Sequence, residues 1–151
     1  MDVGQLLDSH TYLYVTSVAE PEDNVLLVRV EEGRVLQGEA GADGLIGAPI
    51  VADEQSTAYE LLFPAYVAYA VRNESYTVCD PEEEFTGRVF AIYTRSKFLD
   101  FVRAGTFADD AYPGPYTHYA IHALNHILDV AALEPPELTV VRAGHSPRPP
   151  A

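Results

Sequence analysis

Tryptophan is absent from this chain, cysteine and methionine occur once each, and basic residues number nine. Each shortage closes off a class. With Cys79 alone, no intrachain disulfide forms, which removes the disulfide-stapled secreted folds and any cysteine-built zinc site. No uninterrupted apolar run approaches the roughly 20 residues of a membrane-spanning helix. The start, MDVGQLLDSH, lacks the basic opening and apolar stretch of a signal peptide, so the expected compartment is the cytoplasm, in a bacterial-type cell. Nine lysines and arginines against 23 acids give a formal charge of −14. Nucleic acid and anionic membrane both need cationic contacts, so neither is expected as a partner. A basic protein partner is what such a surface would steer toward itself. Catalytic signatures are missing too. The glycines at 38, 41, 44 and 47 are not followed by the Gly-Lys-Ser/Thr of a phosphate loop, and neither Ser75, Ser96 nor Cys79 sits in a nucleophile motif. No cofactor is implied.

The 151 residues suit one domain, expected over 1–142, with a Pro-rich tail at 143–151 and a Gly/Ala-rich loop at 38–56. The best-marked element is Arg88 to Gly105. Val89 to Tyr93 reads as a buried strand behind Gly87. Ser96 is placed to cap the helix 96–104, which carries Phe98, Leu99, Phe101 and Val102 on one face. Gly105 suits a left-handed helix end. Upstream, Thr11–Val18, Val25–Val30 and Arg34–Gln37 read as strands of an antiparallel meander. Thr57–Val78 is rich in strand formers, with Pro64 marking an edge, a bulge or a joint between two strands. Arg72 and Glu74 are placed to pair if that strand runs unbroken, and Glu137–Arg142 reads as the last strand. The fold class expected is α+β: a mostly antiparallel sheet with one helix packed on it.

Residues 116–132 read two ways. As a second helix, Ala120, Ile121, Leu124, Ile127, Leu128 and Ala131 form a stripe, and His118, His122 and Asp129 share the opposite face as candidate metal ligands for a small hydrolase. As strand–turn–strand, the histidines four apart lie about 13 Å apart along the chain and no single ion bridges them. The sets Phe90–Tyr93, Ser96–Phe101, His118–Ile121 and Asn125–Val130 with Pro136 behind them resemble small, uncharacterised bacterial domains, among them immunity-protein-like ones that protect a cell from its own secreted toxins. The resemblance covers 87–140 and implies a strand at 116–123 in a sheet with few helices.

Ten tyrosines and two acidic loops complete the functional reading. Asp80, Glu82, Glu83 and Glu84 form one loop and Asp109 and Asp110 the other, with Tyr76 and Tyr112 beside them. Carboxylates steer a cationic partner, and tyrosine supplies stiff contact area with a polar tip. The expectation is an acidic protein–protein interaction module of the immunity type, and these eight residues are its candidate contacts.

Overall fold

Asp2 and Gln5 close a capping box at the head of a short helix, α1 (Val3–Asp8), whose Leu7 is fully buried. The computed structural model describes residues 2–37 and 47–144. After α1 come β1 (Leu13–Ala19), β2 (Leu26–Glu32), β3 (Arg34–Val35), β4 (Ile50–Val51), β5 (Ala58–Phe63) and β6 (Tyr66–Asn73). One 3₁₀ turn, Glu74–Tyr76, leads toward β7 (Glu84–Gly87) and β8 (Phe90–Arg95). Helix α2 (Lys97–Gly105), β9 (Thr117–His122), β10 (His126–Ala132) and β11 (Glu137–Arg142) complete the chain.

Two antiparallel sheets stack face to face, in the order β1-β2-β5-β11 and β6-β10-β9-β8-β7. Leu26, Val28 and Val30 of β2 and Tyr59, Leu61 and Phe63 of β5 meet Tyr119, Ile121, Leu128 and Val130 of β9 and β10 in one buried cluster. Each such aliphatic or aromatic side chain contributes about 1.5–3 kcal/mol of burial. The α+β class expected from the sequence holds: mostly antiparallel strands, one well-marked helix and one small one.

Several local expectations change. The three-strand meander is not formed, because β3 leaves β2 and pairs with β4, while β5 takes the place beside β2. Arg34 fixes that excursion by gripping the Asp53 carboxylate at 2.7 and 2.9 Å. Part of the 38–56 loop is therefore ordered into β4 and the Asp53 turn. Its residues 38–46, and the tail from 145 onward, lie outside the described residues. Pro64 marks the joint where the chain crosses from one sheet to the other, between β5 and β6.

Of the two readings of 116–132, strand–turn–strand holds: the segment forms the β9–β10 hairpin, and the alternative second helix is not formed. The reason the periodicity misleads is that both faces of these strands are covered. The inner face packs in the sandwich and the outer face lies under α2, so apolar residues run on without alternation. Asn125 anchors the turn from its side chain, accepting from Val15 N–H at 3.0 Å and donating to Val15 C=O at 2.7 Å.

Helix α2 forms as its cap predicts, with Ser96 Oγ accepting from Leu99 N–H at 3.0 Å. Leu99 and Val102 are buried, but Phe101 is 67% exposed. The helix ends without a left-handed glycine: Thr106 turns its N–H and its hydroxyl onto the Val102 carbonyl. The left-handed position that matters is Gly87, at φ 93° in the β7–β8 turn, where an added Cβ would stand 2.1 Å from the Phe90 carbonyl oxygen. Among the described residues, no helix is long and apolar enough to cross a membrane.

Candidate functional site

On the outer face of the five-stranded sheet, beside the head of α2, the structure brings together four polar side chains that lie far apart in sequence. Ser96 Oγ and His118 Nδ1 are 2.8 Å apart, and His118 Nε2 and Asp129 Oδ1 are 2.8 Å apart. Arg72 donates to the other carboxylate oxygen of Asp129 at 3.1 Å. The directions follow from chemistry. Asp129 accepts, so Nε2 carries the proton; Nδ1 then accepts from the Ser96 hydroxyl, whose oxygen accepts from Leu99 N–H. Every member of the chain is satisfied. Tyr93 stacks on the His118 ring at 4.4 Å and Phe98 leans on it at 4.8 Å, sealing it.

Serine, histidine and aspartate in this order have the composition of a hydrolytic triad. The setting is different. Ser96 is 2% exposed and His118 1%, and the serine oxygen already caps the helix. No substrate atom reaches it. The network holds α2 against β9 and β10 and orients Arg72 at the surface.

The metal-ligand set of His118, His122 and Asp129 required a helix and is corrected here. His118 and Asp129 meet as a hydrogen-bonded pair. His122 turns Nδ1 to the Arg88 carbonyl at 2.8 Å and Nε2 to the Tyr93 hydroxyl at 3.1 Å. Among the described residues, no three His, Cys, Asp or Glu side chains are grouped as an ion needs.

Arg72 and Asp129 form the floor of a cleft of about 410 Å³. Tyr93, Phe98, Phe101 and Val78 supply its apolar walls, and Asp80, Glu83 and Lys97 its charged rim. The loop before β7 is set by its own carboxylate, since Asp80 accepts from Glu82 N–H at 2.9 Å and pairs with Lys97 Nζ at 3.1 Å. Those two contacts, the backbone one first, hold the Asp80 carboxyl below its usual range, and Asp80 in turn raises Lys97. Glu83 accepts from Lys97 N–H at 3.0 Å, adding an acidic cap to α2 beside the Ser96 hydroxyl. Burial, with Glu83 and Asp129 nearby, pushes the Tyr93 phenol up to about 12. Among the described residues, Glu82, Glu83 and Glu84 make no ion pair, so the rim keeps unneutralised negative charge.

The eight candidate contacts divide. Asp80 and Glu83 line the cleft, and Glu82 and Glu84 share their loop. Tyr76 is 84% exposed, two residues before Val78 at 75%. Asp109 and Asp110 lie past the other end of α2, in a shallow depression with Arg103. Tyr112 stacks on exposed Phe107 at 6.2 Å, over a third hollow with Tyr66 and Leu133. A nine-residue helix is about 13 Å long, so the two acidic loops stand at opposite ends of α2 rather than together. Sequence reasoning missed Arg72, Lys97, Val78 and Phe101 as lining residues. Arg72 does not pair with Glu74, because the strand stops at Asn73 and Asp129 claims the guanidinium. Asp129 was the readable signal: a lone acid inside ILDVAA, if buried, requires partners. Comparison of the chain with protein-family models, with curated proteins and with solved structures returns no match.

Proposed function

We propose that this protein is an acidic interaction module that docks a basic partner protein at the cleft beside the head of α2. One observation carries the reading: Val78 and Phe101, exposed at 75% and 67%, face the same cleft as Asp80 and Glu83. Large apolar side chains held in water and bordered by carboxylates are the make-up of a binding hot spot with an electrostatic rim. Tyr76 extends the apolar area. The whole-chain charge of −14 steers a cationic protein toward it. The immunity-like resemblance fits the same partner class, a basic toxin that binds nucleic acid and is capped by an acidic surface. In this reading the Ser96–His118–Asp129–Arg72 network is the rigid floor of the site.

The test is a footprint. The immobilised protein retains a basic partner, and amide exchange of the complex is then compared with that of the free chain. Protection is expected at residues 77–84 and over the first turns of α2. Protection confined to other surfaces would overturn the proposal, as would retention of no basic protein.

A further inference from the structure

On the opposite face of the same sheet, β7 is the outer strand, and among the described residues no strand pairs with its free edge. All four of its residues are exposed. An antiparallel edge turns alternate N–H and C=O groups outward without partners, ready to accept another strand. Behind this edge lies a groove of about 710 Å³, between α1 and the inner side of β8 and β9. Its apolar walls include Val3, Leu6, Phe90, Ile92, Tyr119 and Leu138, and Ile92 is 39% exposed.

Register connects the edge to the groove. Thr86 stands opposite Ile92, so its side chain lies on the groove side. Phe85 turns to the other face, with its ring 4.7 Å from that of Tyr93. A chain added beside β7 follows the same alternation and sends every second side chain over the groove. The edge strand β11 of the other sheet borders the same groove through Leu138.

Charge selects among extended chains. The groove contains two carboxylates, Asp2 and Asp8, and no lysine or arginine. Arg88, next in sequence to β7, spends its guanidinium on the carbonyls of Asp8, His10 and Thr11. With −14 overall, an acidic peptide is repelled.

We propose that the free edge of β7 and the groove behind it form a strand-accepting site for an extended peptide with large apolar side chains at alternate positions and basic residues between them. Main-chain hydrogen bonds to β7 hold the peptide and the groove takes its apolar side chains, where Asp2 and Asp8 disfavour an acidic one; the basic side chains alternate to the opposite face, where the overall charge of −14 favours them. The site adjoins the acidic loop of the cleft at Glu84, but its groove lies on the opposite face of the sheet and is lined by none of the cleft's residues.

The probe is a fluorescein-labelled octapeptide alternating lysine with isoleucine or leucine, followed by anisotropy and by amide exchange of the intact protein. Saturable binding is expected, with slowed exchange at Glu84–Gly87. Two changes should each weaken it at least about tenfold: Ile92→Lys in the protein, and N-methylation of alternate backbone amides in the peptide. The methylated peptide is tested on the unmodified protein, so the result does not hang on whether Ile92→Lys folds. The uncharged cleft variants Val78→Ser and Phe101→Ser should each leave binding unchanged. The proposal is overturned by no saturable binding up to about 1 mM, by binding without protection of Glu84–Gly87, or by equal affinity for the methylated peptide. It is likewise overturned if the cleft variants abolish binding, or if the free protein is already a dimer with those amides protected.

Discussion

Ser96 performs two tasks with one oxygen, capping α2 and closing the hydrogen-bond chain to His118. Ser96→Ala removes the cap, at about 1 kcal/mol, and leaves a buried imidazole nitrogen unpaired, at about 1–3 kcal/mol more. A loss of about 2–4 kcal/mol in urea unfolding is expected. The intact protein should also remain unlabelled by a serine-directed phosphonate, and labelling at Ser96 would show that the oxygen is reachable after all. Tyr93 provides a pH test. Its pKa is raised to about 12, first by burial, from an ordinary value of 10. The folded state therefore favours the protonated phenol. That contribution is fully present below about pH 10 and is lost as pH rises through about 12, amounting to roughly 2–3 kcal/mol. Tyr93→Phe forfeits about 1 kcal/mol of hydrogen bonding to His122 at neutral pH but should lose less stability between pH 9.5 and 12. Parallel stability curves for the two proteins would refute the assignment.

Elements were legible where a single signal decided them. Ser96 announced α2, and Glu137–Arg142 emerged with the bounds the sequence suggested. Where two influences competed, pattern failed. In 116–132, covering both faces of β9 and β10 erased the alternation that marks a strand, and a helical stripe appeared by coincidence. The meander failed because two residues, Arg34 and Asp53, carry β3 away to β4. Helix α1 went unread although Asp2 and Gln5 spelled its capping box. The candidate site was half legible. Its acidic rim is local in sequence, whereas its floor joins Arg72, Ser96, His118 and Asp129, which only the sheet register brings together. On α2 the face of four apolar residues splits into a buried pair, Leu99 and Val102, a half-buried Phe98 and an exposed Phe101. Leu99→Ala should cost about 2–4 kcal/mol of unfolding free energy, by opening a cavity under the helix. Phe101→Ser should change stability by less than about 1 kcal/mol. Equal losses would mean that Phe101 is packed and unavailable to a partner.

At the scale of the whole molecule, charge and apolar exposure point to the same place. The −14 charge is a long-range field, and it acts on the rate of encounter more than on the lifetime of a complex. In the proposed docking, the exposed Val78 and Phe101 would act at contact range and set that lifetime. The two effects separate in a kinetic experiment. The most direct measurement is the association rate of the retained basic partner as a function of ionic strength. It compares the unmodified protein with a variant carrying Asp80→Asn, Glu82→Gln, Glu83→Gln and Glu84→Gln. The cleft account expects the unmodified protein to associate about tenfold faster or more at low salt, with a steep fall as salt is added. The neutralised variant should associate slowly along a flattened salt curve, with a nearly unchanged dissociation rate. Coincident curves for the two proteins would contradict it.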